Sequence, residues 1–141
     1  MHSLFEFTES SNYKASADSF VLQIPLGIQS KMELLAALSN TGKFPSYFGK
    51  NWDALFDCLR DFSWISQKQI VILHSDLPLS GNAQECQIYL ETLQTSIKDW
   101  ADRPTQSQLP SESRSIINHK LIVVFPIANQ NDVLRISSIR V

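Results

Sequence analysis

Cysteine is scarce in this chain: Cys58 and Cys86 are the only two among 141 residues. Two are too few for a disulfide framework or a metal site in a chain of this size. Both fall in segments of helical periodicity rather than in loops, so they are expected as reduced thiols. Basic charge is not in excess either. A net charge of −2 offers no cationic footprint for phosphates, so direct nucleic-acid binding is not expected. No apolar run approaches the length needed to cross a bilayer. The opening residues Met1, His2, Ser3, Leu4, Phe5 and Glu6 lack the basic region and apolar run of a secretory signal. The expected location is cytoplasmic, with no membrane partner. Also missing are a glycine-rich phosphate loop, a nucleophile elbow and a metal-binding cysteine pair. No cofactor or metal is expected, and the chain does not read as an enzyme.

What is present is the composition of an ordinary globular protein, 43% hydrophobic and 18% charged. At this length a single domain over residues 1–141 buries roughly two-thirds of its unfolded surface. The first clear strand is 19–24, Ser-Phe-Val-Leu-Gln-Ile, stopped by Pro25 and Gly27. Ser30 and Glu33 form a capping box for a helix with Leu34, Leu35 and Leu38 as its buried stripe, ending at Asn40, Thr41 and Gly42. Residues 69–74 are nearly continuous in apolar side chains, as in a parallel-sheet strand covered on both faces. Asn82 and Glu85 make a second capping box, and Cys86, Tyr89, Leu90, Leu93, Ile97 and Trp100 repeat at helical spacing to about residue 101. Residues 102–118 are rich in proline and serine, which predicts a mobile surface loop. A third strand, 119–125, ends at Pro126. Strands alternating with helices predict an α/β layer with a small parallel three-stranded sheet. The termini are candidates for an extra strand: Val133 to Val141 alternate in part, and residues 4–7 form a short apolar cluster.

The stretch from Phe44 to Phe62 carries the functional signal. Setting residues 100° apart puts Trp52, Leu55, Phe56, Leu59 and Phe62 on one stripe of a helix. Asp53, Asp57 and Asp61 then stack on the opposite face. Each like-charge pair four residues apart costs roughly 0.2–0.5 kcal/mol of helix stability, which folding does not require. Ahead of the helix, Phe44-Pro45 ends the preceding element, and Asn51 is the expected N-cap. Tyr47 and Phe48 precede Gly49, and one of Phe44 and Phe48 is expected to plug the core. Aromatics beside a face of carboxylates make a binding surface that combines contact area with charge complementarity.

The run Pro45-Ser46-Tyr47-Phe48-Gly49-Lys50-Asn51-Trp52-Asp53-Ala54-Leu55-Phe56-Asp57-Cys58-Leu59 resembles the signature of the barstar family, intracellular inhibitors of extracellular-type ribonucleases. The resemblance extends from about residue 19 to 126 and implies a barstar-like fold. It places Tyr47, Asn51, Trp52, Asp53 and Asp57 at partner-binding positions, with Asp53 and Asp57 entering a cationic nuclease active site. Asp61 and Phe62 stand where the family's best-known member has glycine and tryptophan, so both are candidate partner-binding residues tuned to a different nuclease. Arg60 follows Asp57 by three residues and is placed to pair with it. The implied partner is a basic extracellular-type ribonuclease or nuclease toxin, with this chain as its inhibitor or immunity partner. The alternative is an interaction module for a basic protein that is not a ribonuclease.

The remaining titratable candidates are histidines. His74 ends one expected strand and His119 begins another, so parallel pairing places them on the order of 17 Å apart, too far to share a metal. His74, Ser75 and Asp76 lie at a carboxyl end of the sheet, where α/β ligands often bind, which leaves a small hydrolase as a third reading. Asp53 and Asp57 on an exposed helix lack the contrasting environments that a general acid and base require.

Overall fold

The computed structural model describes residues 4–9, 13–104 and 118–137. Among these residues, runs of β-forming side chains give four strands: β1 (Glu6–Thr8), β2 (Ser19–Ile24), β3 (Gln69–His74) and β4 (Lys120–Pro126). They form one sheet in the order β1-β4-β3-β2, and every neighbouring pair is parallel. Among the described residues four α-helices accompany it: α1 (Lys31–Gly42), α2 (Trp52–Leu59), α3 (Ala83–Ala101) and α4 (Gln130–Ser137).

The helix starts follow from their caps. Ser30 accepts from the Glu33 amide and Asn82 from the Glu85 amide, satisfying donors that the first turn leaves free. α1 ends where Lys43 takes a left-handed conformation. Gly42 is required there by space, because a Cβ would stand 2.7 Å from the Phe44 ring and 2.9 Å from Leu22.

Alternation along the strands sorts the sheet into two faces. Leu22, Ile24, Ile70, Ile72, Leu121, Val123 and Phe125 join the buried cluster shared with the helices. Val71, Ile122 and Val124 point the other way, where Tyr13 and Ala15 pack on them. These two residues belong to the connection that leads from β1 at one edge of the sheet to β2 at the other.

The expected three-stranded parallel core is present, and the extra strand comes from the N-terminal segment. β1 pairs with β4, Phe7 opposite Phe125, and Phe5 meets Phe125 edge to face at 5.2 Å. The strand expected in the C-terminal tail is corrected: residues 130–137 are helical. Val133 and Ile136 are three residues apart, and both are buried by the helix that this spacing also allows. Residues 138–141 and most of the loop expected over 102–118 lie outside the described residues. Among the described residues no helix is long and apolar enough to cross a membrane.

Candidate functional site

The loop before α2 is built around an aromatic plug. Phe48 is 8% exposed and meets Phe44 edge to face at 5.1 Å, while Phe44 also contacts Phe62 and Trp64. A turn closed by the Phe48 amide donating to the Pro45 carbonyl, 3.0 Å, leaves the intervening Tyr47 72% exposed. Asn51 then caps α2, its side-chain oxygen accepting from the Ala54 amide at 2.7 Å.

Leu55, Cys58 and Leu59 form the buried face of α2. Trp52 and Phe56 flank that face and are half-buried. The helix stops at Leu59 rather than continuing to residue 62, and this corrects the expected three-acid stack. Phe62 adopts a positive φ of 46° that turns the chain and brings its ring inside, where it is fully buried. Its side chain therefore presents no surface to a partner. Asp61 belongs to this turn, accepts from the Ser63 amide and remains exposed. Asp53 and Asp57 stand one turn apart on α2, both exposed.

The turn still brings Asp61 into the same surface. The Tyr47 phenol is held above its usual pKa by desolvation and then by the nearby Asp61 carboxylate. Burial, with Asp61 and Asp57 nearby, pushes the Cys58 thiol up to about 11. Burial does the same for Cys86, also to about 11. Both cysteines are free and buried.

Arg60 lies across this surface. Its guanidinium sits 3.8 Å over the Phe56 ring and donates to Asp57 Oδ1 at 3.1 Å. With Asp57 76% exposed and Arg60 34% exposed, this is a surface ion pair of modest energy. Beside it runs an open groove of about 260 Å³, lined by Trp52, Asp53 and Phe56 of α2 and by Ile88, Glu91, Thr92 and Thr95 of α3. Sequence reasoning passed over Glu91 because it followed only the apolar stripe of α3. The signal was the spacing of Ile88, Glu91 and Thr95, which share one outward stripe.

The histidines serve the interior. His74 Nδ1 donates to the Val124 carbonyl at 2.9 Å, and its Nε2 accepts from the Tyr89 hydroxyl at 2.6 Å. This leaves no free nitrogen for the hydrolase reading. His119 Nδ1 and Nε2 face the carbonyls of Gln67 and Phe62. Among the described residues no cluster of three or more His, Cys, Asp or Glu is placed to hold a metal ion.

A short acidic helix entered through an aromatic loop, on a parallel sheet, is the arrangement that the resemblance implied. The family model described as Barstar (barnase inhibitor) matches residues 20–111. The chain belongs to the barstar family. The match runs from β2 through α3 and includes the whole aromatic loop and α2, while β1, β4 and α4 lie outside it. Barstar-family proteins are inhibitors that bind barnase-like ribonucleases. No curated protein and no solved structure gives a significant match to the chain.

Proposed function

We propose that this barstar-family protein is a cytoplasmic inhibitor that blocks a basic ribonuclease, as the immunity partner of a nuclease toxin. The observation that carries the reading is the exposed set Asp53, Asp57 and Asp61 beside Tyr47. Carboxylates presented on a rigid face can occupy the positions of substrate phosphates in a cationic active site and so exclude RNA. Asn51 contributes by capping the helix that carries two of them. Trp52 lines the adjoining groove, and Phe62 acts from the core by setting the turn that displays Asp61. The two buried thiols suit a reducing compartment.

Affinity capture with the protein as bait, followed by a ribonuclease assay of the retained material, tests this. Recovery of a basic protein without ribonuclease activity would favour the interaction-module reading instead. On the captured ribonuclease, Asp57→Ala is expected to cost about 2 kcal/mol of binding, the scale of an interfacial hot spot, while the fold stays intact. A loss below about 0.5 kcal/mol would move the centre of the interface away from α2. Arg60→Ala is expected to act in the opposite direction. It releases Asp57 from an exposed ion pair worth roughly 0.2–1 kcal/mol, so affinity for a cationic partner should rise by up to a few-fold. Titrations at two salt concentrations check the cause, since the association rate should fall with ionic strength for both proteins and less steeply for Asp57→Ala.

A further inference from the structure

Eight residues do not make a helix that holds itself in water. Isolated helices below about 12–15 residues are marginal, and the last four carbonyls of any helix lack intrahelical donors. α2 has no basic residue in its last turn and no glycine after it. The Phe56 and Cys58 carbonyls are met by the amides of Arg60, Asp61 and Phe62. Beyond these, α2 is tied to α3 near both of its ends by indole N–H groups. At the start, Trp52 Nε1 donates to Glu85 Oε2 at 2.8 Å. At the far end, Trp100 Nε1 donates to the Leu59 carbonyl, also at 2.8 Å. Trp100 is 4% exposed, with Arg103 stacked 3.6 Å over its ring. The Trp52 ring has the Lys31 ammonium 5.5 Å from its centre and the Tyr89 ring 6.2 Å away. Asp53 and Asp57 stand between the two ties.

We infer that Trp52 and Trp100 are positioning residues, a two-point clamp that holds the acidic face in its partner-ready geometry before a partner arrives. The inference rests on the reading of that face as the binding surface. A helix that frays in the free protein must be ordered on binding, and that ordering is subtracted from affinity. The indole bonds remove the loss in advance. Trp52 thus acts mainly through Glu85, with its nitrogen turned toward α3.

Hydrogen exchange on the full chain tests the clamp without any partner. Trp52→Phe and Trp100→Phe keep a ring and delete the N–H. Each is expected to speed exchange of the amides from Leu55 to Arg60 by about three- to ten-fold, the net effect of one hydrogen bond, while β3 and β4 amides keep wild-type rates. Glu85→Gln retains an acceptor and should preserve protection, whereas Glu85→Ala should reproduce Trp52→Phe. Unchanged exchange in α2, or equal acceleration in α2, β3 and β4, would overturn the clamp. Barnase serves as the binding probe, with Asp57→Ala as the reference. Both Phe variants should speed dissociation by a factor similar to that seen in exchange. If Asp57→Ala weakens binding and neither Phe variant does, the positioning role is overturned. If Asp57→Ala leaves binding unchanged, the acidic-face reading fails, and the exchange data still decide the clamp.

Discussion

Leu59→Ala is expected to destabilise the fold by roughly 2–5 kcal/mol, the range for removing a fully buried leucine from a packed core. Leu59 has no exposed surface and belongs to the cluster that includes Leu55, Phe62 and Trp100. Its carbonyl also takes the Trp100 indole bond, so collapse around the cavity would pull on that tie. Relaxation is therefore restricted, which favours the upper half of the range. Domains of this kind are stable by only about 5–15 kcal/mol in total, so the variant should show a clear drop in its urea midpoint. Binding should suffer only through the fraction unfolded, because the side chain points away from Asp53 and Asp57. A variant with a wild-type midpoint but poor binding would mean that the buried and exposed faces of α2 are interchanged.

The parts of this molecule that were legible in the sequence are those with local causes. Ser30 with Glu33 and Asn82 with Glu85 mark helix starts because the bonds they make span three residues. Asn51 announces α2 in the same way. The β-forming runs at 19–24 and 69–74 are followed by turn residues, so their edges could be read, while the third, expected over 119–125, forms one residue later at 120–126. The end of α2 could not. Apolar spacing continues through Leu59 to Phe62 with no glycine or proline to stop it, and the left-handed turn at Phe62 is decided by the core into which its ring packs. The tail was misread for a related reason: Val133 to Ile136 is too short a run for its period to be decided locally. Contacts between residues distant in sequence were invisible, including Trp52 to Glu85 and Trp100 to Leu59. The candidate site residues were chosen by pattern and resemblance, whereas the groove that adds Glu91 exists only once α2 lies against α3.

Acidification should weaken the fold through His74. The ring is 2% exposed and stacks on Phe125 at 4.1 Å, and its bonds define one neutral tautomer. The Val124 carbonyl can only accept, so Nδ1 carries the proton, and Nε2 accepts from Tyr89. Protonating Nε2 would set an N–H against that hydroxyl and place a charge in the core. Burial accordingly pushes the His74 pKa down to about 4, against a smaller opposing effect of the Val124 bond. An unfolded histidine titrates near 6.5. Between these values the unfolded chain binds a proton that the folded chain refuses. The stabilising contribution is thus complete above about pH 6.5, falls as pH drops toward 4, and levels off below that. The full loss is about 3 kcal/mol. Urea unfolding at a series of pH values, compared with His74→Gln, isolates this residue. The amide can still donate and accept but does not titrate, so the variant should begin less stable at pH 7 and close much of the gap by pH 4. Parallel stability curves for the two proteins would show that His74 is not the group responsible.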